Sequence, residues 1–155
     1  MSDISMPEGM HRLSPHLVCD GAANAIDFYI KAFGATELTR LPMPDGRLAH
    51  GCVSINGSSV MLVDEFAEQG MLSPKKLGGT PVTIHLVVPD ADAAIATAAE
   101  AGATVVMPPQ DMFWGDRYGV VEDPFGHRWS IATPQRAPMN SEDLQAAMRA
   151  GEGCA

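Results

Sequence analysis

The sequence predicts an α+β fold of two tandem βαβββ modules, whose curved mixed sheets would surround a cleft. Three observations carry that prediction. The chain repeats its own order of elements, each copy holds one helix-like stretch followed by extended segments, and turn residues punctuate both copies at matching places.

The first copy opens with a strand from Leu13 to Cys19. A helix follows from Gly21 to Phe33, with Asp20 as its expected N-cap and Gly34 where it stops. Ile26, Tyr29, Ile30 and Phe33 recur at the spacing of one packed helical face. Gly34-Ala35-Thr36 leads into an extended stretch, the turn Pro44-Asp45-Gly46 and a strand from Arg47 to Ile55. Asn56-Gly57 is a hairpin signal, and a strand from Ser59 to Asp64 closes the copy.

The second copy runs in the same order. A strand from Val82 to Val88 meets Asp90 as a cap, and a helix ends at Ala101. Gly102-Ala103-Thr104 echoes Gly34-Ala35-Thr36. Extended residues Val105 to Pro108 lead through a loop to a strand from Tyr118 to Glu122. Asp123-Pro124-Phe125-Gly126 places Asp, Pro and Gly where a type I turn prefers them, and the last strand runs from Arg128 to Ala132.

One such copy cannot bury both faces of its sheet, so two are expected to pack together. The expected organisation is an N-terminal module over residues 1–65, a linker over 66–80, a C-terminal module over 81–135 and a tail over 136–155. In that tail, Asn140 or Ser141 caps a short helix carrying Leu144, Ala147 and Met148 and ended by Gly151.

Composition bounds the function. Hydrophobic residues make up 46% of the 155 and charged ones 19%, a balance that suits a folded domain rather than a disordered chain. The net charge of −9 argues against a nucleic-acid partner, because phosphate binding needs clustered Lys and Arg. No apolar run reaches the roughly 18 residues of a membrane span. The first residues have neither the basic nor the apolar stretch of a signal peptide, so a cytoplasmic location is expected.

Cys19, Cys52 and Cys154 lack paired spacing, so neither a disulfide framework nor a thiolate zinc site is expected. Cys19 and Cys52 read as small buried apolar residues. The chain has no Gly-x-Ser-x-Gly elbow, no Gly-rich loop ending in Lys-Ser or Lys-Thr and no His-Glu-x-x-His, which leaves serine hydrolase, nucleotide hydrolase and zincin readings unsupported.

Several segments together resemble one family. They are Ala25-Ile26-Asp27-Phe28-Tyr29, Phe33-Gly34-Ala35, Pro42-Met43-Pro44-Asp45-Gly46 and Met61-Leu62-Val63-Asp64-Glu65 in the first copy. Gly78-Gly79-Thr80-Pro81, Phe113-Trp114-Gly115-Asp116-Arg117 and Asp123-Pro124-Phe125-Gly126-His127 follow. With the paired βαβββ order they resemble the vicinal oxygen chelate superfamily, the glyoxalase/bleomycin-resistance/dioxygenase type, and within it the PhnB-like branch. The resemblance runs from Pro7-Glu8-Gly9 to Pro134 and identifies no substrate.

It implies that metal-using members draw one ligand from the first and one from the last strand of each module. The matching positions here fall near Ser14 (Leu13 if the strand slips by one), Met61, Thr83 and Ser130. None of these is a normal donor for a divalent cation, so the usual metal site is expected to be absent. The alternative is a non-standard site. His16 shares the strand face of Ser14 and His85 that of Thr83, and with Glu65 they would give two imidazoles and a carboxylate; His50 lies on a neighbouring strand. The plainer alternative has these histidines hydrogen-bonding within a pocket wall, with His11 and His127 peripheral.

The loop from Phe113 to Tyr118 is the other candidate. Trp114 could stack on a ligand and Arg117 could grip a carboxylate or phosphate, unless Asp116 and Arg117 bind each other and the loop backbone while Trp114 buries against the sheet. Trp129 is expected to face the helix as core, and Met10, Met43, Met61, Met107 and Met112 to offer an adaptable apolar lining or simple filler.

The expected function is therefore small-molecule binding by a homodimer without a metal cofactor, through His16, Met61, His85, Trp114, Arg117 and Ser130. The alternative is a glyoxalase-like lyase, isomerase or dioxygenase. It would use a divalent metal held by His16, His85 and a carboxylate, or His16 or His85 as general base.

Overall fold

The computed structural model describes residues 4–151. They divide into two units. One comprises residues up to Pro81 together with Pro124–His127; the other comprises Val82–Asp123 and the residues from Arg128 on. Cys154 lies outside the described residues.

In the first unit, β1 (His16–Cys19), α1 (Ala22–Phe33), β2 (Thr36–Pro42), β3 (Leu48–Ile55) and β4 (Ser58–Asp64) follow one another. The strands form one sheet in the order β1-β4-β3-β2, with β1 parallel to β4 and the other pairs antiparallel. The second unit repeats this with β5 (Thr83–Val87), a helix over Ala91–Ala101, β6 (Thr104–Asp111), β7 (Asp116–Glu122) and β8 (Arg128–Pro134). Its sheet runs β5-β8-β7-β6, again with one parallel pair, β5 with β8. Between the two, a 3-10 turn (Ala67–Gln69) and a one-turn helix α2 (Pro74–Leu77) give residues 66–80 structure of their own within the first unit. The Ala91–Ala101 helix is therefore α3, and α4 (Ser141–Arg149) lies in the tail.

The helix ends show how the sequence specifies each module. Asp20 does not cap α1. The N-cap is Gly21, left-handed at φ 97°, and the cap comes from the far end of the module, where Asp64 Oδ1 accepts the amides of Gly21 (3.0 Å) and Ala22 (3.1 Å). Asp64 Oδ2 takes the Leu48 amide at 2.7 Å, so one buried carboxylate joins α1, β3 and β4. In the second unit Asp90 caps α3 as expected, accepting from Ala93 N, and Thr133 Oγ1 on β8 accepts from Ala91 N at 2.8 Å. Asn140, rather than Ser141, caps α4.

The sheets approach their helices closely where a strand carries glycine. A Cβ on Gly51 would lie 2.9 Å from Ile26 Cδ1, and one on Gly119 would lie 2.5 Å from Ile95 Cδ1. Leu17, Ile26, Tyr29, Leu48 and Leu62 form the first core, and Ile95, Val121, Trp129 and Ile131 the second. Ile30 departs from expectation. It is 40% exposed, because the buried stripe of α1 runs through Ala22, Ala25, Ile26 and Tyr29 and leaves Ile30 at its margin.

Strand limits shift for local reasons. Pro15 has no amide hydrogen, and β1 starts after it. β6 continues past Pro108 and Pro109 because it is an end strand, where a missing donor is tolerated. Asn56 and Gly57 both take positive φ, 46° and 83°, as the tight β3–β4 hairpin requires.

Candidate functional site

In the second unit, strand alternation sorts the side chains. Gly119 faces α3, and so do Val121 and Trp129, which pair across β7 and β8. Trp129 is 1% exposed and donates its indole N–H to Asp123 at 2.9 Å, which makes it core as expected. Tyr118, Val120, Ser130 and His85 therefore point away from the helix.

That outer face carries a continuous strip. His85 pairs in register with Ser130, and His85 Nδ1 lies 2.7 Å from Ser130 Oγ. The His85 ring stacks on Tyr118, with centroids 6.2 Å apart and planes at 22°. Tyr118 meets Trp114 at 5.3 Å and 81°, and Trp114 meets Phe113 at 5.1 Å and 89°. The Trp114 indole donates to Asp116 Oδ2 at 2.9 Å. Ser130 is buried, Trp114 and Tyr118 are half-buried, and His85 is exposed. Ser130 engages Nδ1, and Nε2 is the second hydrogen-bonding nitrogen of the ring.

The loop bearing Trp114 is held by the chain beyond β8. Gln135 N donates to Gly115 O, and an Arg136 guanidinium nitrogen donates to Phe113 O. The Arg136 side chain crosses Gly115 so closely that a Cβ there would lie 2.7 Å from Arg136 Nε. At φ 105°, Gly115 also needs the left-handed conformation that glycine allows.

Arg117 sits elsewhere. One residue out of step with Asp116 and Tyr118, it turns to the helix side and forks onto Asp92 of α3 at 2.8 and 2.9 Å, with Asp111 at 3.4 Å. The hydrogen bonds and charge of Asp92, followed by Asp111, raise its pKa further, while Arg117 holds the Asp92 carboxyl below its ordinary value. A cavity of about 380 Å³ lies there, lined by Asp90, Asp92, Asp111, Arg117, Thr133 and Gln135. Asp116 and Arg117 thus have separate partners, Trp114 and Asp92, rather than each other.

In the first unit the equivalent outer face holds His16, Met61 and Cys52. His16 is in register with Met61, and Met61 with Cys52. Burial of part of the ring, then the nearby His50, lower the pKa of His16 from its ordinary value. Burial raises that of the Cys52 thiol, whose Sγ lies 3.2 Å from Met10 Sδ. Ser59 gathers Ser14 and His11: its hydroxyl bonds Ser14 Oγ and accepts the His11 amide at 3.0 Å. His127 has a structural partner, donating from Nε2 to Val18 O at 2.9 Å.

These side chains do not fit a divalent cation. Ser14, Met61, Thr83 and Ser130 are poor donors, and Ser14 and Ser130 are committed to Ser59 and His85. Glu65 accepts the Ser73 amide at 2.8 Å, and hydrogen bonds from Ser73 lower its pKa. Among the described residues, no three His, Cys, Asp or Glu side chains are grouped to hold a metal ion.

Asp116 and Tyr118 belong to the Phe113–Tyr118 loop that the sequence singles out, but neither is among the six residues expected to contact a ligand. Their alternation on one strand, directly after Trp114, was the available signal.

Residues 10–131 match the model of the Glyoxalase/Bleomycin resistance protein/Dioxygenase superfamily. An uncharacterized protein of Mycobacterium tuberculosis is 56% identical over 145 residues, covering 91% of this chain and 85% of that one. The X-ray structure of an Arabidopsis thaliana gene product is similar with a TM-score of 0.65 and 30% identity, over 79% of this chain and 98% of that one. A PhnB protein from Bacillus cereus shares the fold with a TM-score of 0.61 at 16% identity, over 79% and 99% of the two chains. The chain belongs to the glyoxalase/bleomycin resistance protein/dioxygenase superfamily.

Proposed function

We propose that this chain binds a small, partly apolar molecule and holds it by side chains rather than through a metal ion. The observation that carries this reading is the strip His85–Ser130–Tyr118–Trp114 on one sheet face, where stacked and perpendicular rings alternate with two hydrogen-bonding groups. Apolar walls with a few orienting polar groups are what small-molecule recognition uses. Val120 and Met107, paired across β7 and β6, extend the strip with apolar surface. His16 and Met61 supply the equivalent positions of the first unit. In this reading the protein works in the cytoplasm as a homodimer, the end strands of each four-stranded sheet being natural pairing edges.

Tryptophan fluorescence tests the reading. Trp114 touches the proposed surface, whereas Trp129 is core and gives a constant background. Titration with a panel of neutral aromatics, aromatic acids and aromatic amines should give saturation for at least one compound, with the signal lost in Trp114→Phe. Calorimetry on the same panel supplies an independent readout. A panel that saturates neither signal sinks the proposal.

A further inference from the structure

The carboxylates of the second unit are not treated alike. Asp92 and Asp111 are matched by Arg117, Glu122 pairs with Arg128, and Asp90 caps α3. Asp116 differs from them. It is half-buried, lies on the outer sheet face, takes the indole N–H of Trp114 and makes no salt bridge among the described residues; Arg136, which crosses the neighbouring Gly115, donates to the Phe113 carbonyl instead. An indole N–H satisfies one lone pair of a carboxylate and brings no formal positive charge to it. Its partner Trp114 meets Tyr118 at 81°, and the two rings form a corner. Ring faces carry partial negative charge and attract cations, Trp most strongly. A carboxylate oxygen and a perpendicular aromatic pair are thus concentrated at one point, and each favours positive charge.

We infer that Trp114, Asp116 and Tyr118 form a recognition point for the ammonium group of an organic cation, so that the ligand is a protonated or quaternary amine with an apolar or aromatic body. The inference rests on the reading of this face as the ligand surface. The ammonium sits in the Trp114–Tyr118 corner with Asp116 supplying the countercharge, and the body of the ligand extends along Tyr118 toward His85. Arrangement on the strand supports this geometry, since Asp116 and Tyr118 alternate and share a face. The close passage of Arg136 over Gly115 fixes the loop and hence the corner.

The test compares three probes on the full-length chain: benzyltrimethylammonium, its uncharged isostere neopentylbenzene and benzoate. Trp114 fluorescence and calorimetry are both recorded. The cation should bind at least about tenfold more tightly than the isostere, and Asp116→Asn should remove most of that preference. The Asn side chain still accepts from the indole, so the loop is kept, and circular dichroism with a thermal melt verifies the fold. Tyr118→Leu should weaken the cation while leaving the isostere within about twofold. Saturable binding of the isostere or benzoate at equal or greater affinity overturns the cation assignment and leaves the binding function standing. Cation binding unchanged in Asp116→Asn also overturns it. Absence of saturation by any probe, together with a silent broader panel, overturns both.

Discussion

Asp64 Oδ1 and the Ala22 amide meet at 3.1 Å across forty-two residues of chain, so the last strand of the module supplies the N-terminal cap of its helix α1. Thr133 and Ala91 repeat the relationship in the second unit with a hydroxyl in place of a carboxylate. Asp64 should therefore be the more sensitive of the two. It accepts three amides while buried, and Asp64→Ala leaves all three without a partner. The expected loss is about 3 kcal/mol, against about 1 kcal/mol for Thr133→Ala, read from urea unfolding midpoints at constant m value. Equal losses would show that the repeat does not extend to the energetics of its caps.

Asp20 was the cap expected from sequence, and the reason it fails is instructive. The local rule asks for a polar side chain just before the helix, and Asp20 satisfies it in one dimension. A positive φ at Gly21 turns the chain at that point, and the role passes to a residue that only the folded sheet brings near. The module order, the hairpin at Asn56-Gly57, the Asp90 cap and the buried Trp129 were legible because each depends on neighbouring residues or a strand period. Arg117 was harder. Its side follows from the register of β7, and the carboxylates that engage it lie on α3 and at the end of β6. The Asp116–Trp114 bond needed the loop's shape, set partly by Arg136 from beyond β8.

The two strand glycines should respond differently to alanine. At Gly51 a Cβ meets the flexible end of Ile26, so Gly51→Ala should cost about 1–2 kcal/mol, and adding Ile26→Val, which removes Cδ1, should recover much of it. At Gly119 the Cβ also meets the Met107 carbonyl oxygen at 2.9 Å. Backbone cannot step aside in the same way, so Ile95→Val should not rescue Gly119→Ala. Thermal melts of the two double variants decide this, and equal rescue at both sites would count against it.

His16 should titrate below the ordinary histidine value, since partial burial and His50 both oppose its protonation. The unfolded chain then binds more protons than the folded one between that lowered value and the ordinary 6.5. Stability from this group is consequently flat above pH 6.5 and declines as pH falls through that window. Histidine NMR titration gives the shift directly. His50→Gln should move the His16 titration upward; a downward or absent movement would mean that the imidazoles do not interact.

Arg117 offers a sharp control for the proposed ligand surface. It faces α3 and is committed to Asp92 and Asp111, whereas Ser130 and His85 lie on the outer face. A ligand bound along Tyr118 and Trp114 should therefore be indifferent to Arg117→Gln, which removes an ion pair largely open to solvent and should perturb the fold only slightly. Ser130→Ala should act in the opposite way. The hydroxyl holds Nδ1 of His85, and without it the ring loses the bond that orients it and fixes which nitrogen faces the ligand. Ligand affinity should then fall by about five- to tenfold, the range of one lost hydrogen bond, with His85→Ala falling at least as far. Weaker binding in Arg117→Gln, with Ser130→Ala unaffected, would move the site to the cavity beside α3 and away from the aromatic strip.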